Sequence, residues 1–536
     1  MSYEAIWAAD PSKLHKVELQ KLEKDGLDII RTIIEKYSKE GYGSIPEDEM
    51  NRFKWAGVYE QKPKDGHFMM RIRIPSGILT SRQARALGEI SQLYGENLMD
   101  ITTRQSIQFH WLDVENIPDI FNRLEEVGLY SFEACGDCPR AIVGNPLAGI
   151  DPDELIDTTE IVKQVNDFFV LNRDFSNLPR KYKMSISSNI YNSGHAEIQD
   201  LAFIPATKII DGQETVGFHV LVGGGLSAKP YLAKPLNIFV RPDEVLKVAI
   251  GVTTIFRDYG YREKRHHARL KFLMADWGPD KFLQVLQEQI GPLPERGEDK
   301  VIGWQGAYFD GVHPQKQEGL AYIGLNVPIG RLSGSEFIEL ARLSEAYGNG
   351  SLRTTISQNV ILPNIPSDKV DEVLSHDIFQ RLSPTPSRFL SRTISCTGSE
   401  FCNLAIVETK ARARSVAEYL DQNVELDEDI YINFVGCPNA CGQKQIADIG
   451  LQGVLIKTAD GMKEAFEISI GGTLGPNAQF NQRLKGKVEA SQIHSALERL
   501  ILFYKENRSA EESFHQFYLR VGIDAFQQEF ERVLVS

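Results

Sequence analysis

Residues 66–112 read GHFMMRIRIPSGILTSRQARALGEISQLYGENLMDITTRQSIQFHWL, and residues 319–364 read GLAYIGLNVPIGRLSGSEFIELARLSEAYGNGSLRTTISQNVILPN. Pro75/Pro328, Gly77/Gly330 and Tyr94-Gly95/Tyr347-Gly348 stand 253 positions apart, and Thr102-Thr103/Thr354-Thr355 stand 252 apart, so one deletion aligns the runs. Each copy predicts strand, loop, amphipathic helix and strand, from the alternation in MRIRI, the helical spacing in ARALGEISQLYG and the alternation in SIQFHW. A second pair of segments follows at a constant offset of 248: Gly194/Gly442, Asp200/Asp448 and Gly223-Gly224/Gly471-Gly472, with FHVLVGGGLS beside FEISIGGTLG. Both pairs occur in the same order, so the chain reads as a tandem duplication of a small α/β module followed by a larger one.

The 536 residues are enough for several domain-sized units, and 42% hydrophobic with 25% charged residues is ordinary for a soluble protein. Lys plus Arg number 59 against 73 Asp plus Glu, a net charge of −14 that argues against bulk nucleic-acid binding. The opening MSYEAIWAADPSKLHKVELQKLEKDG has no apolar signal core, and no run approaches the roughly 18 apolar residues of a membrane span. A cytoplasmic protein without membrane contact is expected. The stretch KVELQKLEKDGLDIIRTIIEKYSKEG reads as helix and is expected to wrap the core.

Only six cysteines occur: Cys135, Cys138, Cys396, Cys402, Cys437 and Cys441. Clustered thiols in a cytosolic chain serve metal binding or redox chemistry more often than stapling. NFVGCPNACGQKQ (433–445), after a predicted strand from Ile430 to Val435, and SCTGSEFCNLA (395–405) together give C-x5-C and C-x3-C. At the duplication offset Cys437 and Cys441 match Asn189 and Ser193, so only the second half carries these thiols. One cofactor at a pseudo-symmetric junction would produce that asymmetry. Four thiolates with no nearby histidine suit an iron–sulfur cluster or tetrahedral zinc, and the first spacing is long for a zinc knuckle. Cys135 and Cys138 in EACGDCPR form a C-x-x-C that alone suggests a thioredoxin-like motif or half a zinc site. No second C-x-x-C completes the site, and the turn VGNPLAG follows.

With FMMRIRIPSG, TTRQSIQFH, VGNPLAG and LPRKYK beside the cysteine set, the chain resembles the sirohaem-dependent sulfite and nitrite reductases from about residue 50 onward. The resemblance is closest to the ferredoxin-dependent assimilatory sulfite reductases. It implies a 4Fe-4S cluster on Cys396, Cys402, Cys437 and Cys441, with Cys441 bridging to the iron of sirohaem. It further implies Arg71 and Arg140 as holders of the oxyanion, Lys181 and Lys183 as anion stabilisers and proton donors, and Arg104 and Gln108 at the sirohaem periphery. Alternation would place Lys181 and Lys183 on one face of a strand. Relatives that reduce nitrite typically carry Asn at the second position of this K-x-K pair, so Lys183 points to sulfite. The resemblance also implies a thioether between Tyr59, counted among the catalytic groups, and Cys135.

No dinucleotide fingerprint occurs, since VGGGLS lacks the glycine spacing, so electrons must come from a separate protein, which the resemblance implies is ferredoxin. YREKRHHARLK (261–271) reads as a solvated charge run or, alternatively, a basic patch for an acidic partner. The expected layout of this duplicated α/β (α+β) fold is an N-terminal helical extension (1–60), ferredoxin-like half-module 1 (61–130) and sirohaem-binding module 1 (131–295). Half-module 2 (296–375) and the cluster-binding module 2 (376–536) complete a pseudo-two-fold monomer. Besides a redox-sensing cluster protein without catalysis, which leaves Arg71, Arg140, Lys181 and Lys183 unexplained, two readings compete with sulfite reduction. One is nitrite reduction to ammonia at the same site, and the other is a zinc-stabilised nucleic-acid-binding protein, which the net acidity disfavours.

Overall fold

The repeated Pro-x-Gly sets the first piece of architecture. In the computed structural model, which describes residues 6–459 and 461–535, Pro75–Gly77 and Pro328–Gly330 form matching 3-10 turns with Ser76 and Ile329 both at φ 51°. Gly77 and Gly330 follow at φ 71° and 68°. A Cβ on Gly77 would stand 2.0 Å from the Thr354 carbonyl oxygen, so glycine is required by both dihedral and neighbour.

Each turn sends the chain out of its own sheet. Ile78–Thr80 pairs with Ser351–Thr354 of the other copy, and Arg331–Ser333 pairs with Leu98–Ile101. The two five-stranded antiparallel sheets therefore exchange edge strands. Thr80 and Ser333 then start the helices Ser81–Tyr94 and Gly334–Tyr347 with the same capping box, closed by Gln83 and Glu336. Those helices meet at glycines: a Cβ on Gly88 would lie 2.6 Å from the Gly334 carbonyl oxygen.

One hydrophobic core spans both copies, joining Phe68, Ile72, Leu87 and Phe109 to Ile323, Leu340, Leu352 and Leu362. The N-terminal segment, expected to wrap this core, supplies part of it through Ile29, Ile33 and Phe53. Two left-handed glutamines lock the halves. Gln105 donates to the Ser76 and Thr354 carbonyls, and Gln358 to those of Ile101 and Ser395.

The larger modules repeat a second pattern. Short parallel strands, Val143–Gly144 and Met184–Ile186 in one and Thr393–Ser395 and Ile432–Val435 in the other, lead into long hairpins. Leu201–Ile210 pairs with Gln213–Val222 in the first, and Ile449–Thr458 with Gly461–Ile470 in the second. Helices Thr159–Phe169, Val245–Tyr259 and Leu270–Ile290 cover the first sheet, and Lys410–Asn423 and Ile493–Asn507 the second. The repeated aspartates play the same part in both modules, Asp200 accepting from the Lys183 amide and Asp448 from the Tyr431 amide.

The modules meet where counterparts touch. His195 Nδ1 lies 3.0 Å from Gln443 Oε1, and both residues are left-handed. Gln445 Nε2 donates to the Ser227 carbonyl, and the Gly475 amide to Glu197, each at 3.0 Å. Contacts between residues 248 apart, and between reciprocal pairs, define a pseudo-two-fold axis at this junction. Replacing Gly77 with Val should cost about 2 kcal/mol or more, read as a lower urea midpoint at unchanged m-value.

Candidate cofactor and oxyanion site

The four second-half cysteines lie on the two loops that leave the parallel strands Thr393–Ser395 and Ile432–Val435. Backbone amides reach their sulfurs: the Gly436 amide donates to Cys396 Sγ at 3.2 Å, and amides of Leu404 and Ala405 face Cys402. Burial pushes the Cys396 thiol up to about 12, with the neighbouring Cys441 adding to the rise. Burial likewise raises Cys402 and Cys437, and each also feels Cys441. Cys441 itself is exposed, and the Thr103 hydroxyl, from the first half, donates to its carbonyl at 2.8 Å. No three His, Cys, Asp or Glu side chains among the described residues are arranged to hold a single metal ion. The thiols are electrostatic neighbours across a wider span, and binding iron would displace their protons.

Strand register fixes what the first half holds instead. Val143 pairs with Ser185 and Ile394 with Asn433, and Ser185 and Asn433 are counterparts. Asn145, Asp151 and Asn189 therefore occupy the positions of Cys396, Cys402 and Cys437. They bond to one another: Asn145 and Asn189 both donate from Nδ2 to Asp151 Oδ2, at 2.5 and 2.7 Å. Ser193, in the place of Cys441, bonds the Ser187 hydroxyl at 3.0 Å. A closed polar lock thus stands where the other half offers thiols.

Beside Cys441 the structure gathers the basic residues. Arg71, on the strand His67–Ile72, donates to Gln108 Oε1 (3.0 Å from Nη2) and to Cys135 Sγ (3.2 Å from Nη1). Its guanidinium lies 5.8 Å from the Tyr59 ring centre. Burial, reinforced by Cys135, pushes the Tyr59 phenol up. Arg140 is pinned by the Gly136 and Ala134 carbonyls at 2.7 and 3.2 Å. Arg104 donates to the Ala141 carbonyl at 2.6 Å and to Gln199. All of these, with Lys181 and Lys183, are half-buried.

The cleft is short of anions. Asp200 is a buried carboxylate within it, and Arg269 already grips it at 2.8 and 3.1 Å. Burial and the neighbouring Arg140 press Arg104 down to about 9. Burial, helped by Arg269 and Arg140 and opposed by Cys441, presses Lys181 down to about 8. Burial, with Arg104, Lys181 and Arg269, drives Lys183 well below the usual lysine value. Buried Arg104 Nε has no partner. Amines so crowded stay charged only beside a compensating anion and otherwise lose their protons, and a tetrapyrrole bearing many carboxylates has the charge to compensate them.

Three expectations change. Lys181 and Lys183 precede the strand Met184–Ile186 rather than belonging to it. They flank Tyr182, which is buried and held by a parallel bridge to Pro139. The strand before Cys437 starts at Ile432, not Ile430. The 261–271 run is not a uniformly solvated face, because four of its cations turn inward while Lys264 and His266 stay exposed. Arg262 binds Glu18, Arg265 binds Asp137, Arg269 binds Asp200, and Lys271 donates to the Leu226 and Lys229 carbonyls. Sequence reasoning missed Arg269 as the partner of Asp200, although the repeated aspartate was visible as a signal.

Known proteins match this arrangement. The model of the nitrite and sulphite reductase 4Fe-4S domain matches residues 135–292 and 389–535, and that of the nitrite/sulfite reductase ferredoxin-like half domain matches 59–127 and 313–376. A ferredoxin–nitrite reductase of Synechococcus elongatus is 40% identical over 92% of this chain and 97% of its own. A sulfite reductase (ferredoxin) of Mycobacterium tuberculosis is 36% identical over 94% and 95%. The solved structure of the Mycobacterium tuberculosis NirA protein superposes with a TM-score of 0.90 at 35% identity, covering 96% of this chain and 97% of that one. Paired ferredoxin-like halves joined to paired 4Fe-4S modules define an iron–sulfur oxidoreductase. The chain belongs to the nitrite and sulphite reductase family.

Asp151→Ala should cost about 1–3 kcal/mol by orphaning the Asn145 and Asn189 donors, while iron and acid-labile sulfide per chain stay at the wild-type value. Cys402→Ser should leave the unfolding midpoint of the first-half lock intact and lower the iron content.

Proposed function

We propose that this enzyme reduces sulfite to sulfide by six electrons taken from reduced ferredoxin. In this reading Cys396, Cys402, Cys437 and Cys441 would hold the 4Fe-4S cluster, and Arg104 and Gln108 beside Cys441 would hold sirohaem. The observation that carries the reading is the pair Lys181 and Lys183, two half-buried amines crowded by Arg104 and Arg269, whose charged forms a bound anion would stabilise. Neither has a carboxylate ion-pair partner among the described residues. Near neutral pH sulfite reaches its dianionic form, which nitrite, a monoanion, cannot, so an extra cation favours sulfite.

When bound, sirohaem supplies the iron that takes the anion and couples it to the cluster's electrons. The chain's own residues do the rest. Arg71 and Arg140 are braced by Gln108 and by the Gly136 and Ala134 carbonyls, so their positive field is fixed before the anion arrives. Lys181, pressed down to about 8, can both hold the anion and release a proton as each oxygen leaves as water. A thioether between Tyr59 and Cys135 would stiffen the wall of this pocket. Intact mass two hydrogens below the sequence value checks that bond.

Nitrite reduction is the second reading. It is favoured by the 40% and 39% identity to the ferredoxin–nitrite reductases of Synechococcus elongatus and Leptolyngbya laminosa. Steady-state kcat/KM for both anions, with reduced ferredoxin or a viologen, decides between them. Lys183→Asn should lower kcat/KM for sulfite about tenfold and leave that for nitrite within about threefold. Anion affinity should fall as pH rises past about 8, because the ammonium form of Lys181 is lost above its pKa. Lys181→Met should remove that limb of the profile.

A further inference from the structure

A buried charge network lies beneath the Cys135–Arg140 loop, and nothing in the proposed chemistry uses it. It begins in the helix Lys16–Glu23, where the Glu18 and Lys21 side chains are 1% and 3% exposed. Asp137, between Cys135 and Cys138, is equally deep. Its carboxylate meets Lys21 Nζ at 2.9 Å and Arg265 at 2.5 Å, with Arg180 at 3.7 Å. Lys21 also donates to Glu18 at 2.7 Å and to the Leu178 carbonyl at 2.8 Å. Arg262 and Arg265 hold the other side of Glu18, at 2.5 and 3.3 Å.

Two backbone stretches converge here. The Leu178 amide donates to the Asp137 carbonyl at 2.8 Å, and the Arg140 amide to that of Tyr182 at 2.9 Å. One ammonium group therefore ties together the loop bearing Cys135 and Arg140 and the run bearing Lys181 and Lys183. Charges at this depth carry a desolvation cost that an apolar plug of similar volume would avoid, so stability alone does not account for them.

We propose that Lys21 and Glu18 are positioning residues of the oxyanion site, through which the N-terminal helix clamps Asp137 and sets the spacing between Arg140 and the Lys181–Lys183 run. The inference rests on the assignment of those residues to the oxyanion. Lys21→Met leaves Asp137 facing Arg265 and Arg180, so its carboxylate is not orphaned. In the holoenzyme this variant should raise KM for sulfite about tenfold with kcat within about threefold, and Lys21→Arg should restore KM. Amide hydrogen exchange in 134–140 and 178–184 should quicken about tenfold, with the helix Ile493–Asn507 unchanged.

Unchanged exchange and unchanged KM would overturn the clamp. Faster exchange with KM unmoved for both sulfite and nitrite would overturn its positioning role. If Lys21→Met fails to fold, Glu18→Gln is read by the same two measurements. Wild-type protein inactive on both anions would sink the functional reading, whereas the exchange pattern would still report on the clamp.

Discussion

The left-handed Pro-x-Gly turn is the constraint on which the rest of the molecule hangs. Because Gly77 and Gly330 have no Cβ, each chain segment can pass against the backbone of the other copy and donate a strand to its sheet. The two small modules then share one core and cannot be separated without opening both sheets. That reciprocal lock fixes the positions of Gln105 and Gln358, which in turn tie each small module to the first strand of a large one. The junction of all four lies on a pseudo-two-fold axis, marked by the contact of His195 with its own counterpart Gln443.

Symmetry of backbone and asymmetry of chemistry then coexist. The same loop geometry carries thiols in the second half and the Asn145–Asp151–Asn189 lock in the first. The same buried aspartate accepts the same backbone amide in both halves, but among the described residues only Asp200 is answered by an arginine. Asp448 lacks that cation, and burial pushes it up to about 7. Charge is thereby concentrated on one side of the axis, where Arg71, Arg104, Arg140, Lys181 and Lys183 crowd a cleft beside Cys441. A net-acidic chain can hold such a pocket because its cations are local and inward-facing.

The duplication, the class of fold and the four-cysteine set were legible in the residues themselves. Repeated turns, capping residues and alternating apolar positions are local signals, and they survive in one dimension because each depends on neighbours a few residues away. The resemblance of FMMRIRIPSG, TTRQSIQFH and LPRKYK to known reductases carried the expectation for the basic residues, which the structure places near Cys441. The family match and the NirA superposition agree with that reading of the fold.

What the sequence could not show is which charges face inward. YREKRHHARLK looks like any solvated run, and KVELQKLEKDG like any surface helix, because periodicity reports amphipathicity and not the partner across the interface. Only the tertiary structure brings Glu18 and Lys21 to Asp137 and Arg265, across more than a hundred residues of chain. The strand exchange was hidden for the same reason, since a three-residue strand is indistinguishable from a loop until its partner is known. Sequence by itself determined the duplication and the spacing of the four cysteines. Tertiary contact decided how the modules interlock and which buried cations were left for an anion to satisfy.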